Sequence, residues 1–507
     1  MSRRTTLPYV IAIVGAGPSG IYAAEALSQQ TEVPVEVVVI DRLPVPFGLV
    51  RYGVAPDHES IRSIRHTLER TLQRPGVGFY GDVTIGVDLG VAELRDAVDA
   101  VIYAYGAGTD RRLGIPGEDL SGSIAAPELV AWYCGHPDLH PDPRGDTPRV
   151  PPEGLRPADH DAPAGDDRLV AAGIDRLLAT ATQAVVVGVG NVALDVARVL
   201  IKPLAELTDT DMADEVLRSH AHKRISEVHI LGRRGPAYTS FTTKELRELG
   251  QLPDVDVIVS PTDLELDASS QAVVDRDKVA ARNVAVLREW AGRTPSGASR
   301  RIQFHFWTRP VAIVGDRRVR AVQVERTRID ADGAVVGAGG DVRTIGAQLV
   351  VRSVGYRGQP LPELPYDAST GRVPHAEGRV IRDHGFSAGE YVTGWIKRGP
   401  TGVIGTNKSD AAETVSSLLA DIRQGKLPAR GRSGDLDRLL ARRGISALDF
   451  GSWQRIDQAE LDRGIRNGRL RTTIARRSEL LAAAGEPEAR RSANGSLAGA
   501  EAQLATR

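Results

Sequence analysis

Two sets of residues in this chain have the types and spacing that hold dinucleotides. The first is Gly15-Ala16-Gly17-Pro18-Ser19-Gly20, with Asp41 about 20 residues on. In such a loop the first glycine permits a tight turn, the second lets the backbone approach a pyrophosphate, and the third lets helix and strand pack closely. The helix start offers unpaired N–H groups and a positive dipole end, and Asp41 is placed to accept hydrogen bonds from an adenosine ribose. The second set is Gly188-Val189-Gly190-Asn191-Val192-Ala193, with alanine in the third place, followed by Gly232-Arg233-Arg234-Gly235. The planar forks of two arginines at that strand end grip a ribose 2′-phosphate, so this loop selects NADPH over NADH. A pair of merely solvated arginines is the competing reading. Opposite ribose signatures predict one flavin adenine dinucleotide (FAD) and one NADPH.

The elements that must position these loops are legible around them. The β-branched run from Tyr9 to Val14 leads into the first loop, a helix opens near Pro18, and a second buried strand runs from Val35 to Ile40. The same order of strand, glycine turn, helix and strand recurs around the second loop. Between the two, residues 136–167 are rich in Pro, Asp and Gly and read as a surface excursion. RIQFHFWTRPVAIV, VRAVQVERTRI and AQLVVRSVGY are candidate strands after the second unit. A glycine-dense block from Gly394 to Gly405 then precedes a helix expected to start around Lys408.

Composition narrows the function. The 64 Lys plus Arg against 65 Asp plus Glu give a net charge of −1 and no nucleic-acid footprint. Cys134 is the sole cysteine, which excludes an internal disulfide, a redox cysteine pair and a cysteine-ligated cluster, so electron chemistry must come from a bound cofactor. No metal site is expected. Nothing resembles a signal-peptide core, and no apolar run approaches the roughly 20 residues of a membrane helix; a soluble cytoplasmic protein is the expectation.

PVPFGLVRYGVAPDH, from Pro44 to His58, closely resembles the segment after the second strand in the adrenodoxin-reductase-like ferredoxin–NADP⁺ reductases. The resemblance continues in AYGAGTDRRLGIPGEDLSG, VVVGVGNVALDVARVL, LGRRGPAYTSFTTKELREL, VVRSVGY and GWIKRGPTGVIGTNKSDAAETV, in order from Val10 to about Leu419. Among known members the chain is most similar to the mycobacterial group. The resemblance implies that Gly17, Ser19, Asp41, Leu49 and Val83 surround the adenosine and pyrophosphate of FAD, beside Gly15 and Gly20. Trp395 and Gly402, Val403 and Ile404 would hold its isoalloxazine. Asn191, Val192, Arg233, Arg234 and Glu245 would bind NADPH, with Gly188, Gly190, Ala193 and Leu194 shaping that loop and Arg111 a further phosphate contact. His58 and Glu248 match the family's active-site pair. Read without the family, His58 is a surface residue before a helix near Glu59, and Trp395 is a core aromatic. Cys134 stands where the family commonly has asparagine and reads as a structural thiol. The family's docking helix for ferredoxin is partly recognisable around Lys278, Arg282 and Arg288.

These readings predict an α/β protein with two Rossmann-like dinucleotide-binding domains in a glutathione-reductase-like architecture. The expected parts are a flavin domain from 1–109 and 349–485, a coenzyme domain inserted at 110–348, and a flexible tail at 486–507. The expected activity is that of a ferredoxin–NADP⁺ reductase: a flavin takes electrons in pairs from NADPH and releases them singly to a ferredoxin-type iron–sulfur protein. A diaphorase or monooxygenase with another acceptor, and a non-catalytic redox-sensing flavoprotein, are the alternatives.

Overall fold

The computed structural model describes residues 7–142, 167–340, 342–383, 385–428 and 431–485; the expected tail at 486–507 and most of the excursion at 136–167 lie outside them. Two sheets, one mixed and one parallel, carry the two glycine loops. In the first, of seven strands, the order is His375–Ala376, Arg379–Arg382, Gly385–Val392, Ala100–Tyr103, Tyr9–Val14, Val35–Ile40, Val77–Tyr80. The strands from Gly385–Val392 onward run parallel. Their run of Val and Ile is explained by burial on both faces, since parallel sheets of this kind are covered on each side; Ile11, Ala12, Ile13 and Val39 are fully buried.

The second sheet is parallel throughout, in the order Ser123–Ala125, Leu349–Arg352, Gln183–Val187, Glu227–Leu231, Arg300–His305, Val255–Val259. A small antiparallel sheet of Thr308–Val314, Ala321–Ile329, Val335–Gly337 and Arg343–Gly346 covers one of its faces.

Strand membership corrects two expectations. A return to the first unit at residue 349 is too early, because Leu349–Arg352 pairs with Gln183–Val187 and Ser123–Ala125 inside the second sheet. The chain crosses back just after it, where Tyr356–Arg357 pairs with the outgoing Thr109–Asp110 as a two-stranded link. RIQFHFWTRPVAIV is not one strand but two in different sheets, because Trp307 adopts φ +53 and turns the chain between them.

The late return of the chain is fixed by packing and charge. The helix Thr406–Arg423 lies along Pro18–Gln29 and starts two residues before the expected Lys408. Farther on, Phe450–Arg466 brings Trp453 edge-on to Phe47, with ring centroids 5.4 Å apart. It also brings the fully buried Glu460 between Arg51 and Arg471. Burial opposes the Glu460 charge, yet the two guanidinium groups and the Ile474 N–H hold its carboxyl down to about 2.

Candidate active site

At the first loop Gly15 has φ +114, and an added Cβ would stand 2.6 Å from the Ala104 carbonyl oxygen; one on Gly20 would stand 1.9 Å from that of Gly15. Gly17 is different, because only Gly48 Cα comes within 4.0 Å of its Cβ position. The helix Pro18–Gln29 that Gly17 caps has no side-chain cap, so its first N–H groups are left for a ligand. Asp41 ties this loop down, accepting from the Ala16 N–H at 2.7 Å and the Leu43 N–H at 2.9 Å. Burial raises its carboxyl above the usual range, against those two bonds and Arg42. A carboxylate has about four lone-pair sites, so two remain for ribose hydroxyls. Val83 donates its N–H to the Asp41 carbonyl and packs its buried side chain in the sheet core, while Leu49 is half-buried at the start of Leu49–Tyr52.

The chain's return closes over this loop. Gly394 sits so near Ser19 that a Cβ would stand 2.2 Å from the Ser19 hydroxyl oxygen, and that hydroxyl donates to Asn407 Oδ1 at 2.8 Å. Asp410 accepts from the Gly394 N–H and pairs with Lys397 at 2.9 Å. Trp395 follows, half-buried, its ring centroid 5.3 Å from that of Tyr356 in the link between units. Gly402, at φ +82, and Val403 are exposed and Ile404 is half-buried.

The second loop repeats the turn. Gly188 has φ +137 and abuts the Ser353 carbonyl, whereas nothing lies within 4 Å of a Gly190 Cβ. The helix Asn191–Ile201 likewise lacks a side-chain cap. Ala193 and Leu194 are fully buried, so their side chains pack the loop and face no ligand. Val192 is half-buried, and Asn191 Oδ1 accepts from the Thr242 N–H at 2.8 Å. Arg233 and Arg234 are exposed, and no carboxylate among the described residues pairs with either; Arg234 lies 5.6 Å from the Tyr238 ring centroid. Arg111 is exposed beside the link, its N–H bonded to the Gly355 carbonyl.

Between the loops the structure assembles a charged cluster that the sequence only partly disclosed. His58 Nε2 lies 2.9 Å from Glu248 Oε2, as the expected pair requires. It also lies 3.1 Å from Glu245 Oε2, and His58 Nδ1 is 3.6 Å from Asp195. Glu245, which the resemblance implies on the coenzyme, is only 5% exposed. Arg198, 2% exposed, is the hub. Its guanidinium makes two bonds to Asp57, at 2.7 and 2.9 Å, pairs with Asp195 at 2.8 Å, and lies 3.7 Å from Glu245 and Glu248. Lys202 adds a bond to Asp57 at 2.8 Å. Burial alone would raise the Asp57 carboxyl, but Arg198 and Lys202 hold it well below the usual range. Burial raises the Asp195 and Glu245 carboxyls. Asp57 and His58 belong to the first unit and the other members to helices of the second, so the cluster joins the two. The i,i+3 spacing of Asp195 and Arg198 in VALDVAR was the available signal for it.

Known proteins match the chain over nearly its full length. Residues 9–235 match the family described as pyridine nucleotide-disulphide oxidoreductase. NADPH-ferredoxin reductase FprA of Mycobacterium tuberculosis is 42% identical, covering 94% of this chain and 98% of that one. The mitochondrial NADPH:adrenodoxin oxidoreductase of Arabidopsis thaliana is 35% identical over 95% and 97%. The solved structure of Mycobacterium tuberculosis FprA in complex with NADPH superposes with a TM-score of 0.81 at 40% identity, covering 94% of this chain and 99% of that one.

Proposed function

Since the chain belongs to the family of NADPH-ferredoxin and adrenodoxin reductases, we propose that it passes electrons from NADPH through FAD to a ferredoxin-type iron–sulfur protein. The observation that carries this reading is the pair of open, uncapped glycine loops with opposite ribose ends, Asp41 at one and the exposed Arg233 and Arg234 at the other. FAD, when bound, supplies the conversion of one hydride's electron pair into single electrons.

The chain's own residues bind, orient and exclude water. Gly17 and the N–H groups of Ser19 and Gly20 receive the flavin pyrophosphate, and the remaining lone pairs of Asp41 receive the ribose. Trp395 and Gly402 to Ile404, carried back by the returning chain, border the isoalloxazine. Gly190, Asn191 and Val192 meet the NADPH pyrophosphate, Arg233 and Arg234 fork onto the 2′-phosphate, and Arg111 approaches from the link. His58, hydrogen-bonded to Glu248, stands beside the site where the nicotinamide arrives. Hydride transfer needs no general base, so this pair tunes the rate. The flavin unit comprises the chain before about residue 109 and after about residue 357, supported by membership in the seven-stranded sheet. Among the described residues no helix is long and apolar enough to cross a membrane, and we place the protein in the cytoplasm.

Lys278, Arg282 and Arg288 are exposed on one helix, Lys278–Ala291, and offer charge to an acidic partner. Exposed charges steer encounter and are screened beyond about 10 Å at 0.1 M salt. NADPH-driven reduction of a purified ferredoxin should therefore fall as salt rises, with reduction of an artificial dye changing less. A ferredoxin that is never reduced overturns this reading of the acceptor.

A further inference from the structure

We propose that His58, Glu245 and Glu248 form a binding site for a divalent transition-metal ion of the zinc type, which bridges the two units and arrests turnover. Their ligand atoms, His58 Nε2 and one carboxylate oxygen from each glutamate, lie within 4.8 Å of one another. Two of the separations are 2.9 and 3.1 Å. A tetrahedral ion with bonds of about 2.0–2.2 Å sets its ligands roughly 3.4 Å apart, so each glutamate oxygen must withdraw from His58 Nε2 by a few tenths of an ångström. The two glutamates are an i,i+3 pair on Thr243–Leu249, which places both carboxylates on one face of the helix.

Independent features point to a cation here. Glu245 is 5% exposed, and among the described residues no hydrogen bond of regular geometry reaches its Oε2, which faces His58. Its partners among the described residues are the ion pairs with His58 at 3.1 Å and Arg198 at 3.7 Å, which leave a lone pair of that oxygen for a cation. Asp195 stands 3.6 Å from His58 Nδ1, the place of the carboxylate that orients a metal-bound imidazole through its other nitrogen. Charge agrees as well. Asp57, Asp195, Glu245 and Glu248 surround the site with Arg198 and Lys202 as the fixed cations, while Glu206 and Lys244 at the rim offset each other. With His58 neutral, as a ligand must be, two negative charges remain, which one divalent ion neutralises. One imidazole and two carboxylates suit zinc or cobalt; calcium takes six or more oxygen ligands, and magnesium keeps its waters. Glu248, the most exposed of the three at 27%, leaves the side from which an ion and a fourth ligand enter.

Such an ion takes the imidazole nitrogen that otherwise faces Glu248 and ties the first unit's loop to a helix of the second. That it slows turnover rests on the role proposed above for His58 and Glu248; that it binds does not. The test is a titration of the flavin-loaded protein with cobalt(II), followed by absorption to the red of the flavin bands. A ligand-field band of low-coordinate intensity should saturate at one equivalent, vanish on adding zinc and persist with magnesium. The near-isosteric variants His58→Gln and Glu248→Gln, checked for bound flavin, should weaken binding by more than about 100-fold, and Asp195→Asn by about 10–100-fold. Zinc at one equivalent should slow NADPH-driven dye reduction, and a chelator should restore it. No stoichiometric band, or one indifferent to both glutamine variants, overturns the site, while NADPH reduction of the flavin stands. A band lost in His58→Gln with turnover untouched by zinc upholds the site and overturns the role of the pair in turnover.

Discussion

At the first glycine loop Ser19 is bonded to Asn407, 388 residues away, Gly394 is pressed against it, and Asp41 anchors the turn through two N–H groups. At the second loop Gly190 faces open space, and Arg233 and Arg234 stand exposed without a carboxylate partner among the described residues. One fingerprint therefore serves two purposes. Enclosed by the returning chain, it suits a ligand that stays; left open and cationic, it suits one that enters and leaves at each turnover.

Substituting glycines within the two loops should separate them most sharply. Gly20→Ala places a Cβ 1.9 Å from the Gly15 carbonyl oxygen, with no room for either to move, and should yield protein without retained flavin, read from its visible spectrum after purification. Gly190→Ala meets nothing; it should keep its flavin and raise the KM for NADPH alone.

Arg198 tests the junction between the regions. Removing one partner of a buried ionic network costs about 3–5 kcal/mol because the charges left behind stay unpaired. Arg198→Met should lower the urea midpoint by a corresponding amount and reduce kcat through misplacement of His58. A change confined to stability would make the hub purely structural.

A smaller effect sharpens the coenzyme side. Each charge-assisted contact to a 2′-phosphate contributes about 1.5–3 kcal/mol, so Arg233→Gln and Arg234→Gln should each lower kcat/KM for NADPH about tenfold or more and leave NADH nearly unchanged. Equal losses with both coenzymes would remove the ribose reading.

Acid should produce the smallest difference. Burial, with His229 and Arg343, pushes His305 down to about 3, and burial lowers His229 too. An unfolded histidine takes its proton near 6.5, so the stability these neutral rings carry is present above that pH and is lost as pH falls from 6.5 toward 3. Glu460, held at about 2, contributes stability that is full above about 4.3 and is lost only as pH falls toward 2. Between pH 6.5 and 5 amide exchange should quicken in Glu227–Leu231 and Arg300–His305, relative to intrinsic rates, and stay constant in Tyr9–Val14.

Much of this contrast is legible in the amino-acid sequence alone. The strands and glycine turns around residues 15–20 and 188–193 depend on local sequence, and the structure has them where the periodicity puts them. Three features were not legible because they depend on contacts between distant residues. Leu349–Arg352 looks the same whichever sheet it joins, and only its pairing with Gln183–Val187 assigns it. The break at Trp307 is a positive φ at a residue that rarely adopts one. Glu245 and Arg198 lie on separate helices, and their meeting with Asp57 and His58 follows from how the two units pack.

The most direct test of the account is anaerobic stopped-flow mixing of the purified, dialysed protein with one equivalent of NADPH, followed by flavin absorbance near 450 nm. The account predicts that dialysis leaves the flavin in place, that NADPH bleaches it rapidly, and that NADH at the same concentration does so far more slowly. Flavin lost on dialysis, or retained flavin that NADPH bleaches no faster than NADH does, would contradict the division of labour between the two loops.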